Sequence, residues 1–376
     1  FIVMDNKAKV KYNVEEYIKI MDSLGVKQMV LQGPPGTSKT YNAKQIIAYG
    51  IWENLKEKDK FSSYDIKKLL YEYQMGEKGN TKAYWDMVQF HPSYGYEDFV
   101  RGITVTTENQ QIKYKTINKV FGNICKLAKE DKEKNGEDAG KYFLLIDEIN
   151  RADSATVFGE LIYALEYRDE WVEVPYTLDR EEVANYSSKT SVPDNNKAVN
   201  KKEQKVDNPS KISVPDNLYI IATMNTADKS VCNIDYAIRR RFLFFDLLPD
   251  ENVIRKNRLL NEEQDDDIVI KTFKGINKFI EDTTKDSQYR ANDFKIGHTY
   301  FLNCEDDQKF HCKMQYQVLP ILREYYIDGI IKEQENFDSF NKYLKGEDLN
   351  SDSLEEISDS LKEIIKEFEA NSGELG

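Results

Sequence analysis

No run of apolar residues in this 376-residue chain approaches the roughly 20 that cross a bilayer as a helix, which excludes a helical membrane protein. Cysteine is scarce. Its four copies, Cys125, Cys232, Cys304 and Cys312, lack the paired short spacing of a zinc site, and nothing points to export. They read as reduced, mostly structural thiols in a cytoplasmic protein. Basic charge is also short: 53 Lys and Arg against 66 Asp and Glu leave a net charge of −13. Such a surface is poorly suited to gripping a phosphate backbone, so any DNA would be read by something else. The first residue is Phe1 rather than Met, only 32 residues before the first strong motif, and an N-terminal module is expected to be missing from this chain.

What is present describes a globular protein: 40% hydrophobic and 32% charged residues, in a length that can bury one large core and one smaller one. Lys27-Gln-Met-Val-Leu-Gln32 reads as a buried strand, followed by a glycine-rich turn and a helical pattern from Tyr41 to Trp52. Tyr142–Asp147 and Leu218–Met224 are nearly all apolar, as parallel strands covered on both faces should be. The predicted fold is α/β, a parallel sheet flanked by helices over residues 1–248, with a smaller helical domain over 249–376.

Residues 180–212 break the rhythm with Asn, Lys, Ser, Asp and Pro and read as a solvated insertion loop. Ser191-Val-Pro-Asp-Asn195 recurs as Ser213-Val-Pro-Asp-Asn217, read as a local duplication rather than a ligand-binding repeat. Leu354, Ile357, Leu361, Ile364, Ile365 and Phe368 recur at helical spacing, the pattern of a helix packed on the small domain.

The chemistry concentrates in Gly33, Pro34, Pro35, Gly36, Thr37, Ser38, Lys39 and Thr40, which follow a strand and open a helix. They fit G-x-x-x-x-G-K-[ST] except that Ser38 stands where a glycine lets backbone N–H groups wrap the β-phosphate closely. Helix N-terminal N–H groups favour anionic phosphates, Lys39 would bridge the β- and γ-phosphates, and the Thr40 hydroxyl would ligate Mg²⁺. Asp147 and Glu148 end the second strand at the sheet edge that faces ligands. Asp147 would serve the metal shell and Glu148 would activate the attacking water.

Asn225 ends the third strand as a polar sensor of the γ-phosphate. Asn225-Thr-Ala-Asp228 also imitates the N-x-x-D by which Ras-type GTPases read guanine; a strand beside the phosphate loop favours the sensor role. Arg239, Arg240 and Arg241 precede an apolar strand and suggest a finger supplied to a neighbouring subunit, hence a ring. His91 and His298 sit beside aromatics and read as packed, hydrogen-bonded side chains, with His298 a candidate to face the nucleotide from the small domain.

The order phosphate loop, Asp-Glu, Asn and arginines describes the AAA+ P-loop NTPase class. Met87-Val-Gln-Phe-His-Pro-Ser-Tyr-Gly-Tyr-Glu-Asp-Phe99, Ile146-Asp-Glu-Ile-Asn-Arg-Ala152, Met224-Asn-Thr-Ala-Asp-Lys-Ser230, Asp235-Tyr-Ala-Ile-Arg-Arg-Arg-Phe242 and Gly297-His-Thr-Tyr-Phe301 narrow it. From about residue 25 to about residue 325 the chain resembles the McrB family in the dynein-related AAA branch. The resemblance implies an α-helical lid, hydrolysis of GTP rather than ATP with Mg²⁺, and a homo-hexameric ring. It also implies a McrC-like nuclease partner and DNA engaged through the ring pore or a separate reader domain. It assigns Glu148 to water activation, Asn225 and Asp228 to the signature loop that the partner tunes, and Arg240 and Arg241 to subunit junctions. Lys229 departs from the family, which carries Arg there; Lys cannot make a bidentate fork. The competing readings are a MoxR-like ATPase that remodels protein complexes and a non-hydrolysing scaffold marked by Ser38, the latter opposed by intact Lys39, Thr40, Asp147 and Glu148.

Overall fold

The computed structural model describes residues 13–55, 61, 65–75, 83–108, 110–179, 209–228, 234–260, 267–284, 288–304 and 306–333, with single positions 341, 344, 363 and 366. The strands among them are β1 (Gln28–Gly33), β2 (Trp85–Gln89), β3 (Arg101–Glu108), β4 (Gln111–Asn118), β5 (Tyr142–Asp147), β6 (Val172–Glu173), β7 (Lys211–Ile212), β8 (Leu218–Asn225) and β9 (Leu243–Asp246). Five of these build one sheet in the spatial order β2-β5-β8-β1-β9, every neighbouring pair parallel. Tyr142 to Ile146 of β5 and Leu218 to Met224 of β8 are buried without interruption, because helices cover both faces and leave no polar side.

Helix Lys39–Leu55 lies against the sheet so closely that a Cβ added to Gly50 would sit 2.0 Å from Phe143 Cζ. A side chain there would have to displace a packed ring. The register that pairs Gly33 with Asn225 and Ile146 with Ala222 brings the carboxyl ends of β1, β5 and β8 side by side. Open parallel sheets hold ligands at that edge.

A second hydrophobic cluster is separate from the first, which runs from Tyr17 to Phe245. Helices Glu251–Arg258, Ile268–Thr284, Asp307–Lys313 and Leu319–Ile327 bury Ile254, Phe273, Ile276, Phe310 and Leu322 in it. No helix among the described residues is long and apolar enough to cross a membrane.

The segment read as a solvated loop ends differently from that reading. Lys211–Ile212 pairs antiparallel with Val172–Glu173, and the buried Arg101 donates to the carbonyls of Tyr176, Pro209 and Lys211 at 3.2, 2.9 and 2.8 Å. Low apolar content hid this because the anchor is a guanidinium satisfied by backbone, not a hydrophobic side chain. In the second Ser-Val-Pro-Asp-Asn copy, Ser213 and Val214 are buried and Asn217 Nδ2 donates to the carbonyls of Ala128 and Gly140, both at 3.0 Å. The first copy, the Leu354 to Phe368 pattern, Cys232 and Lys229 lie outside the described residues.

Candidate active site

The phosphate loop turns between β1 and helix Lys39–Leu55. Gly36 takes φ 76° and Ser38 φ 60°, so a residue with a side chain occupies the left-handed region where the sequence pattern wants glycine. That conformation costs an L-residue roughly 1–2 kcal/mol. Thr37 is buried and its hydroxyl donates to the Pro34 carbonyl at 3.0 Å, closing the turn. Lys39 Nζ donates to the carbonyls of Gly33 and Pro34 at 3.0 and 2.7 Å, so its ammonium lies inside the loop.

Two strand ends meet this loop. Thr40 Oγ1 donates to Asp147 Oδ1 at 2.8 Å, and Thr223 Oγ1 donates to the same oxygen at 2.6 Å. The hydroxyl and carboxylate expected to serve a metal thus converge as hard oxygen donors. Mg²⁺ is commonly held by one or two carboxylates plus phosphates and water, and these residues fit it. Among the described residues no cluster of three or more His, Cys, Asp or Glu side chains could hold a metal by itself.

Glu148 follows in a left-handed conformation, φ 56° and ψ 52°, with its N–H donating to Thr223 Oγ1 at 3.1 Å. Burial raises the Glu148 pKa above the usual carboxylate value, opposed by Arg151 and Lys39. Its Oε2 is buried and accepts no hydrogen bond among the described residues.

Asn225 ends β8 in register with Gly33; its Oδ1 accepts from the Ala227 N–H at 3.3 Å, and the next N–H, of Thr226, donates to the Gly33 carbonyl at 3.0 Å. Asp228 faces Arg151, whose guanidinium lies 3.5 Å from Asp228 and 3.6 Å from Glu148. Arg151 falls within the Ile146–Ala152 motif, and the sequence alone assigns it no role. Its place three residues after Glu148, on a tight 3-10 turn, was the available signal. Thr223 carries a signal as well, the one aliphatic hydroxyl in the apolar run Leu218–Met224.

The arginines part company. Both Arg240, at 3.3 Å, and Arg241 reach Glu166, but the Arg240 side chain is 66% exposed whereas that of Arg241 is 8% exposed and also donates to the Ala237 carbonyl at 2.6 Å. Arg239 stacks on Phe244, 4.8 Å from the ring centroid. His91 is exposed, edge-on to Tyr94, which corrects the expectation that it is packed. A surface loop with aromatics need not bury every ring it carries. His298 is 4% exposed and hydrogen-bonded to the phosphate loop: its Nε2 is 2.9 Å from Ser38 Oγ.

Burial depresses the Lys39 pKa from 10.5 to about 8, against the raising effect of Glu148 and Asp147. A phosphate beside Lys39 would hold its proton to higher pH, so affinity is fully present below about pH 8 and falls as pH rises beyond it. Titrations with fluorescent nucleotide between about pH 7 and about pH 9.5 should show a loss of up to roughly tenfold per unit on the alkaline side. Adenine and guanine nucleotides should lose alike, since the cause lies at the phosphates; an affinity flat across this range would contradict the assignment of Lys39.

Residues 66–242 match the sequence model of the AAA domain of the dynein-related subfamily, and residues 268–334 match that of the McrB alpha-helical lid domain. The chain is 31% identical over 317 residues to the Type IV methyl-directed restriction enzyme EcoKMcrB subunit of Escherichia coli (strain K12), covering 82% of this chain and 56% of that one. It is 33% identical over 104 residues to the Type II restriction enzyme BsuMI component YdiS of Bacillus subtilis (strain 168), covering 27% and 26%. The chain therefore spans about half or less of the length of these relatives. Among solved structures, C. elegans PCH-2 aligns over 95% of this chain and 68% of its own at a TM-score of 0.27 and 12% identity. With an AAA domain and an McrB lid matched in succession, the chain belongs to the McrB-like group of the dynein-related AAA family.

Proposed function

We propose that this chain is the nucleoside-triphosphate-hydrolysing motor of a McrBC-like restriction system, acting on GTP in preference to ATP, as a homo-hexameric ring that drives DNA translocation and activates a nuclease partner. The observation that carries the hydrolytic part is the convergence of Lys39, Thr40, Asp147, Glu148 and Asn225 at one sheet edge, with Thr40 bonded to Asp147 at 2.8 Å. The restriction part is supported by relatives that are both components of restriction enzymes. The same relatives leave the protein-remodelling MoxR-like reading unfavoured.

In this reading Lys39 exchanges the carbonyls of Gly33 and Pro34 for the β- and γ-phosphate oxygens, and Thr40 and Asp147 would hold Mg²⁺. The metal would neutralise charge developing on the phosphates. Glu148, whose Oε2 has an unused acceptor position, takes a proton from the attacking water, and its burial, which raises its pKa, makes it a stronger proton acceptor than an exposed carboxylate. Asn225, in register with Gly33, orients that water; this place at the phosphate end supports the sensor role over guanine reading. Arg240 is the finger offered to the adjacent subunit, and DNA is engaged through the pore or a separate reader domain.

Turnover of GTP and ATP by the purified chain, with and without the product of an adjacent nuclease gene, tests the assignment. GTP preference with stimulation by the nuclease subunit is expected. Clear ATP preference, with no nuclease gene nearby, would sink the restriction reading.

A further inference from the structure

We propose that Ser38 and His298 form a latch between the phosphate loop and the helical lid, with His298 the positioning residue that sets how long nucleotide stays in the loop. The inference rests on the phosphate-site reading above.

Four consecutive lid residues lie on the loop. The Gly297 N–H donates to the Pro35 carbonyl and the Thr299 N–H to the Gly36 carbonyl, both at 3.0 Å. Between them, His298 reaches Ser38 Oγ at 2.9 Å. A Cβ on Gly297 would stand 2.0 Å from the Gly36 carbonyl carbon, and one on Gly36 would stand 2.5 Å from the Tyr300 ring. The two backbones are therefore in direct contact, with no room for a side chain at either glycine.

The histidine is set up to donate. Its Nδ1 accepts from the Asp250 N–H at 3.3 Å, which leaves the hydrogen on Nε2, facing the Ser38 hydroxyl. Burial lowers its pKa to about 4, so the ring is neutral around pH 7. Asp250 caps the first lid helix, Glu251–Arg258, through the Asn252 N–H at 2.9 Å, so the same histidine touches the start of the lid and the phosphate loop.

Ser38 makes sense in this light. It holds φ 60°, which glycine would adopt freely and serine adopts at a cost, yet its hydroxyl supplies what glycine cannot, an acceptor for the lid. A lid bonded to the loop at three successive residues moves only if the loop lets go. Phosphates entering or leaving the loop then act on the lid directly.

Dissociation of mant-GDP and mant-ADP, followed by stopped flow on the full chain, tests the latch. Ser38→Ala, which removes only the hydroxyl, and His298→Ala should each speed release about three- to tenfold, the range of one hydrogen bond. The double variant should be no faster than either single one. His298→Gln, whose amide N–H can reach the same oxygen, should restore slow release, and should restore nothing when Ser38 is Ala. Additive losses, or release unchanged by both single variants, would overturn the latch while leaving the nucleotide site standing. Failure of the unmodified chain to bind either mant-nucleotide would sink the site reading and the latch together.

Discussion

Glu148→Gln is expected to slow nucleotide turnover by about 10²–10⁴-fold, the range of a lost general base, while nucleotide stays bound. The side chain keeps its shape but can no longer take a proton. The Glu148 carboxylate sits on a left-handed turn just beyond Asp147, and Arg151 lies 3.6 Å away, so the amide has space and a polar neighbour. Phosphate release should collapse while fluorescent-nucleotide affinity stays within a few-fold of the unmodified chain, and nucleotide should be trapped in a stable ring. Unchanged turnover would remove Glu148 from the reaction. A parallel loss of binding would mean that it holds the loop rather than the water.

Arg240→Ala should cost about 10³–10⁵ in turnover if its guanidinium serves the neighbouring subunit. Both side chains reach Glu166, but the exposure of Arg240 and the burial of Arg241 against the Ala237 carbonyl separate two residues that the run of three arginines makes equivalent. Mixing Arg240→Ala subunits with Glu148→Gln subunits should regain part of the activity, because some junctions then carry an intact finger opposite an intact base. No recovery in the mixture counts against a finger acting in trans. Arg241→Ala should mainly lower the Tm, because it removes a buried side chain and leaves the Ala237 carbonyl and Glu166 each without its Arg241 contact; a stable, inactive Arg241→Ala chain would return the finger role to that residue.

The centre of the main sheet was legible because β5 and β8 are nearly uninterrupted apolar runs, whereas edge strand β2, Trp85-Asp-Met-Val-Gln89, is half-buried, carries Asp86 and Gln89 and gave no such signal; the phosphate loop was legible because glycine, lysine and threonine at fixed spacing have few other uses. Asp147 and Thr40 could be paired in advance, since one ends a strand and the other opens the helix beside it. The Ser38 contact could not be foreseen, because its partner is 260 residues away and a lone histidine carries no periodic signal. Arg151 was half hidden: Glu148 stands three residues before it, but Asp228, beyond the end of β8, meets it only in space. Nor does a charge run say which arginine is buried. Glu166, on another helix, meets both Arg240 and Arg241, and only the fold shows that Arg241 is the one turned inward onto the Ala237 carbonyl.

The most direct test of the account is phosphate release from GTP and ATP by the purified chain in the presence of Mg²⁺, beside the Lys39→Ala variant. The unmodified chain should hydrolyse at least one of them, lose the activity when Mg²⁺ is chelated, and lose it again with Lys39→Ala. Equal release by chain and variant, or none by either, would contradict the claim that this loop is a working phosphate site.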